Sequence, residues 1–181
     1  MVRMERDMYH QISGWWTQHL LATFTAQLAA VEAEITTVWQ QDAARATAAQ
    51  QLQSIKDIGW VTAAWTLVAT LNFTTCETIE RLTAYAGLAP IPHQSGTSVW
   101  HRPTPGHTGN GCLRTAFYLA TLSAAQHNPL IKAFYTRLRA AGKPENVARC
   151  AAARKLLHIA WAVVKKAQDF DPHYIQTMQR A

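Results

Sequence analysis

Between Leu88 and Gly109 the sequence gathers side chains that together could transfer a phosphoryl group. Ser95 and Ser98 flank Gly96, with His93, His101 and Arg102 close by, and His107, Gly109 and Asn110 follow, with Arg114 just beyond. A serine hydroxyl attacks phosphorus when a neighbouring base takes its proton, and arginines neutralise the charge that builds on the non-bridging oxygens. Ser-Gly is also a common loop dipeptide, so residue types alone leave catalysis and an ordinary polar loop both open. His93, His101, His107 and Cys112 match no compact zinc-ligand spacing. Asp7, Asp42, Asp57, Asp169 and Asp171 are scattered and form no two-metal pattern, so no metal is expected in this chain. No Gly-rich nucleotide-binding loop is present.

Charge divides the chain in two. Residues 1–90 carry five Lys/Arg against eight Asp/Glu, whereas residues 91–181 carry twelve against three. A basic half with so few acids suits a polyanionic partner, most simply nucleic acid, although a solvated basic surface has the same composition. Much of the positive charge falls in two stretches. Arg137, Arg139 and Lys143 close one, and Arg149, Arg154, Lys155, Lys165 and Lys166 line the next. Arg154-Lys155 and Lys165-Lys166 lie about three helical turns apart and share a face. Three distant cysteines read as reduced thiols, no signal peptide is visible, and no run approaches the roughly 20 apolar residues of a membrane span. A cytoplasmic, nucleoid-associated protein without a membrane contact is expected.

The elements that would position these groups are helical, in an all-α fold. Leu21, Phe24, Leu28, Val31, Ile35 and Val38 alternate at spacings of three and four, the seam of a coiled coil. About three heptads need a partner helix, from this chain or from a second copy. Asp42 can cap a second helix reaching about Ser54. Residues 52–70 then show a helix end, a turn with Gly59 and a new apolar helix, the outline of a helix-hairpin-helix whose turn would bind a DNA phosphate. Asp57 occupies the place of the first glycine and would repel phosphate, so a plain helical turn reads equally well. Thr74-x-x-Glu77 looks like a capping box for a helix over Cys76–Ala86, ended by Gly87. Residues 88–109, with four prolines, read as an irregular serine loop that leaves room for a short β-hairpin. Three further helices follow: one over about Asn110–His127, one opened by Asn128-Pro129 and closed by Gly142, and one from near Pro144 to about Gln168. The organisation expected is a helical coiled-coil segment over 1–50, a catalytic or DNA-handling module over 51–170 and a tail over 171–181.

Seven pieces in one order give this outline a family likeness. They are Leu52–Ala64, Leu82-Thr-Ala-Tyr-Ala-Gly-Leu-Ala-Pro90, Gln94-Ser-Gly-Thr-Ser98, Gly109-Asn110-x-x-Leu113-Arg114, Asn128-Pro129 with Phe134-Tyr135-x-Arg137-Leu138, Gly142-Lys143 and Ala153-Arg154-Lys155-Leu156-Leu157. Over about residues 50–166 the chain resembles the C-terminal module of the IS110/IS116 insertion-sequence transposases, the bridge-RNA-guided serine recombinases. The resemblance implies DNA transposition through a serine that bonds covalently to DNA: Ser95, with Ser98 the less favoured position. It implies that Arg102 and Arg114 stabilise phosphate, that Asn110 shapes the loop, and that Gly59, Arg137, Arg139, Lys143, Arg149, Arg154 and Lys155 contact nucleic acid. DNA is the implied partner, with a guide RNA and a second copy joined through residues 15–50. Family members also carry a RuvC-like domain with four metal-binding acids. Magnesium would belong there, and the present chain alone is expected to be inactive in recombination. Asp57, His107 and the prolines at 103 and 105 depart from the family pattern. The alternative is a non-catalytic module for nucleic-acid binding and oligomerisation.

Overall fold

The computed structural model describes residues 2–95, 99–105 and 108–171, with side chains from residue 13 onward except those of 92–107. Its contacts divide the chain into two units, Met1–Ala43 and Ala44–Ala181. The first is a single helix, α1 (Val2–Gln40). Alanines and long unbranched side chains favour it, and the hydroxyls of Thr17, Thr23, Thr25, Thr36 and Thr37 return to carbonyls four residues back. The heptad residues Leu21, Phe24, Leu28, Val31 and Val38 expose 50–64% of their surface. Trp15 stacks on His19 and meets Trp16 edge-on, and both tryptophans are exposed.

The second unit is built from helices α2 (Ala43–Ser54), α3 (Trp60–Thr70), α4 (Ile79–Tyr85), α5 (Gly111–His127), α6 (Pro129–Ala140) and α7 (Glu145–Lys166). The all-α class expected from helical periodicity and caps therefore holds for these elements. The stretch read as an irregular loop with room for a short β-hairpin does carry one, two-stranded and antiparallel: β1 (Pro90–Ser95) and β2 (Val99–Pro105). Four prolines hide such a ribbon from sequence patterning, because proline interrupts a ladder. In two strands every strand is an edge, and here Pro90 pairs with Pro105 at the open end. The register shifts between Ile91 and His93, so Pro92 faces the irregularity beside Arg102 and Pro103.

Helix α5 is the centre of the bundle and packs on α3, α6 and α7. Its buried residues Leu113, Phe117, Ala120, Thr121 and Ala124 recur at helical spacing, and α7, which packs against it, buries Ala152, Ala153, Leu156, Leu157 and Ala160 among others. The many alanines let these helices approach closely. The predicted helix boundaries at Asn110, Asn128-Pro129 and Gly142 appear as expected, with Asn110 and Asn128 capping α5 and α6. The predicted start of α4 does not. Its cap is Thr78, which accepts from the Arg81 N–H, while Thr74 turns back to the Leu71 carbonyl. Thr74 is drawn off because Leu71, Asn72 and Phe73 all take left-handed backbone angles after α3. Such residues are costly, and the turn is held by the Thr70 hydroxyl accepting the Phe73 N–H, by burial of the Phe73 ring and by Lys165 donating to the Phe73 carbonyl.

Asn128 ties two distant corners together. Fully buried, it accepts from the N–H groups of Leu130 and Ile131 and donates through Nδ2 to the Lys56 carbonyl, 3.3 Å away. Replacing it with alanine removes a cap and strands a carbonyl, so Asn128→Ala is expected to lose about 2–3 kcal/mol in urea unfolding. Asn128→Ser, which keeps the cap, should lose clearly less. Equal losses would show that the bond to Lys56, and not the cap, carries the whole effect.

Candidate nucleic-acid interface and serine hairpin

The hairpin is rooted on both sides. On the way in, Leu88 is buried and its N–H donates to the Thr83 carbonyl, while Gly87 (φ 66) turns the chain out of α4. On the way back, Gly109 sits at φ 128, and an added Cβ would fall 2.7 Å from the Tyr85 carbonyl oxygen and 2.9 Å from the Gly87 nitrogen. That combination admits only glycine. Asn110 follows with all its polar groups engaged. Its N–H donates to the Tyr85 carbonyl at 2.7 Å, its Nδ2 donates to the Tyr85 hydroxyl at 3.1 Å, its Oδ1 accepts from the Leu113 N–H, and its carbonyl accepts from the Arg114 N–H. Tyr85 thus meets the chain as it leaves and as it returns.

Ser95 is the last residue of β1 and pairs in register with Val99. Ser98 and His107 lie outside the described residues. Arg102 is on β2 beside the register shift. Arg114 is half-buried on the second turn of α5, and its charge reaches Cys150, whose thiol is pushed up by burial and drawn back in part by that guanidinium. Gly59 precedes α3 at φ −75 and ψ 171 with open space around it, so neither strain nor crowding demands glycine there. Asp57 does take a left-handed conformation, φ 81, and its Oδ1 accepts from the Ser123 hydroxyl on α5.

The basic residues do not stand alike. Arg137 lies over the Phe134 ring at 5.3 Å and Lys155 approaches the same ring from α7 at 5.9 Å, so α6 and α7 place two exposed cations at one aromatic ring. Arg139 donates to the Lys143 carbonyl, which leaves both cations exposed at the α6–α7 turn. Arg149 is engaged: it pairs with Glu145, and the Tyr135 hydroxyl, burial and the Tyr118 hydroxyl act on it before that ion pair, with its pKa raised overall. Arg154 is half-buried beside His158. Among the described residues no three His, Cys, Asp or Glu side chains gather as a metal site, and no helix is long and apolar enough to cross a membrane.

Residues 49–136, from within α2 to α6 and including the hairpin, match the Transposase IS116/IS110/IS902 family. This segment is an IS116/IS110/IS902-family transposase domain. The chain is 34% identical over 124 residues to the pilin gene-inverting protein of Moraxella bovis, covering 68% of this chain and 38% of that protein. It is 33% identical over 114 residues to an uncharacterized 43.6 kDa protein of insertion element IS110 from Streptomyces coelicolor, covering 63% of this chain and 28% of that protein. A 42 kDa protein of insertion element IS900 from Mycobacterium paratuberculosis is 33% identical over 93 residues, or 51% of this chain and 23% of that protein. The chain therefore spans less than two fifths of the length of these relatives.

Sequence patterning named the two ends of this arrangement and missed what joins them. Tyr85 lies inside a family-like segment without a role of its own, and its contact with Asn110 spans 25 residues. Thr83 and His158, which join α4 to α7, are 75 residues apart. The Thr83 hydroxyl gives its proton to the Ile79 carbonyl, so it accepts from His158 Nε2–H at 3.0 Å. Burial, then Arg154 and Lys155, hold the His158 imidazole below its ordinary pKa, against an opposing pull from Glu80. A histidine with a depressed folded-state value contributes stability above about pH 6.5 that is lost as pH falls through that depressed value. The urea midpoint of the second unit is expected to drop between about pH 7 and pH 5, and His158→Gln should flatten part of that drop. An unchanged pH profile in the variant would remove His158 as a cause.

Proposed function

We propose that this chain performs DNA strand transfer with Ser95 as nucleophile, in concert with a RuvC-like domain. The observation that carries the reading is the placement of Ser95 at the end of a hairpin rooted on Gly109 and Asn110 within an IS116/IS110/IS902-family domain. The pilin gene-inverting name of a relative supports DNA rearrangement as the activity. In the step envisaged, Ser95 Oγ bonds to phosphorus of a DNA phosphodiester and the bridging P–O bond to the neighbouring sugar breaks. The sugar oxygen leaves with a proton, and the serine proton passes to a neighbouring base. One phosphoester replaces another, so the reverse attack by a new strand's hydroxyl rejoins DNA without an energy source. Arg102 and Arg114 are the proposed partners of the non-bridging oxygens, and Asn110 holds the loop between them. No group of ligands described in this chain fits magnesium, so no step is assigned to that ion here.

DNA backbone would lie on the surface carrying Arg137, Arg139, Lys143 and Lys155, with Arg154 beside it, and a guide RNA would carry the sequence choice. The turn at Gly59 is the weakest proposed phosphate contact, since the Asp57 carboxylate stands in it. The exposed heptad residues of α1 favour coiled-coil pairing with a second copy. The same two features would serve a module that binds nucleic acid and oligomerises without catalysis.

A trapping assay separates the two. The full chain, labelled DNA from its element, the guide RNA and a separately supplied RuvC-like domain are combined and then denatured. A protein–DNA adduct that persists in Ser98→Ala and disappears in Ser95→Ala is expected. Salt-sensitive binding without any adduct would reduce the chain to a binding module. In the same binding experiment, Arg137→Ala and Lys155→Ala should each lower the slope of log K against log salt by about 0.9. Arg149→Ala should instead lower the thermal midpoint with little change of slope, because that guanidinium is already engaged by Glu145 and two tyrosines.

A further inference from the structure

The register runs five residues from the Pro90–Pro105 pair to Ser95. At the rise of a β-strand this places Ser95 about 17 Å beyond the root, so a tilt of about 5° there moves it about 1.5 Å. Among the described residues the hairpin strands pair with each other, and neither packs extensively on a helix. Its direction is therefore set where it leaves the bundle. The incoming strand is fixed by Leu88 in the core. The outgoing side is fixed by Tyr85, through its carbonyl on the Asn110 N–H and its hydroxyl on Asn110 Nδ2. The backbone bond alone is a hinge. The side-chain bond, 3.1 Å long and reaching Asn110 from the opposite end of the tyrosine, removes the hinge's freedom.

We infer that Tyr85 is a positioning residue for strand transfer: its hydroxyl, by holding Asn110, aims the hairpin that carries Ser95. This rests on the reading of Ser95 as nucleophile. Tyr85 touches neither DNA nor the reacting atoms in this account. A displacement of about 1 Å in a reacting group costs about 100-fold in rate, so losing one hydroxyl at the root is felt in chemistry far more than in stability.

Two variants break the same bond from its two sides. Tyr85→Phe deletes only the hydroxyl. Asn110→Ser keeps an N-cap for α5 but is too short to reach Tyr85. Single-turnover adduct formation at saturating DNA is expected to slow by about 10- to 100-fold in each, with DNA affinity within about twofold and the thermal midpoint within about 4 °C. The double variant should be no slower than the slower single, because one bond is lost in all three. Residual dipolar couplings of the β1 and β2 amides should fit one orientation with α4–α7 in the wild type and shrink in both variants. Unchanged rates and couplings, or rates that fall only with the folded fraction, would overturn the inference. An adduct that survives Ser95→Ala overturns the nucleophile reading instead, and the couplings then decide by themselves whether Tyr85 holds the root.

Discussion

The close approach of Gly109 to the carbonyl of Tyr85 is the contact on which the serine hairpin depends. A backbone at φ 128, with a neighbouring oxygen 2.7 Å from where a Cβ would stand, can be built from one residue type only. Once glycine is there, Asn110 comes within reach of Tyr85 twice and of the first turn of α5 once. A polar excursion of some twenty residues then leaves and rejoins the bundle at one place, and its loop-closure entropy is met by a few short, well-satisfied bonds. Gly109 and Asn110 thus do two things together: they start α5 and they end the hairpin.

Behind that root the bundle supplies stiffness and charge. Helix α5 is held on three sides by α3, α6 and α7, and Asn128 secures the next corner to the turn at Lys56. Helix α7 carries buried alanines and leucines on one side and cations on the other. Those cations differ in what they have left to give. Arg149 is committed within the fold, Lys165 supports the left-handed turn after α3, and Arg137 and Lys155 share the Phe134 ring near the surface. Net charge drew attention to this half of the molecule, but only the geometry sorts structural cations from exposed ones.

Much of the fold was legible in the sequence because it is written in local signals. Asn110, Asn128-Pro129 and Gly142 state helix ends through hydrogen bonds that reach no further than a turn. Where two local signals compete, the sequence misleads. Thr74-x-x-Glu77 has the form of a capping box, yet three left-handed residues before it draw Thr74 away and Thr78 caps α4. The hairpin could be allowed for but not located from sequence: four prolines oppose strand pairing in general and are tolerated where both strands are edges and the register shifts between them. For the site, Ser95, Asn110 and the basic residues stand out by type and by family likeness. Tyr85 and Thr83 do not, since their partners Asn110 and His158 are 25 and 75 residues away. Such pairings are set by how helices pack, and no pattern within a single helix encodes them.

Taken together, a transposase-family domain with a rooted hairpin that bears Ser95 and an exposed basic surface is the basis for proposing DNA strand transfer through the Ser95 oxygen. The most direct measurement is tandem mass spectrometry on the protease- and nuclease-digested protein–DNA adduct. Strand transfer by Ser95 predicts a nucleotide mass carried on its hydroxyl. The same mass found on Ser98, on a tyrosine or on any other side chain would contradict it.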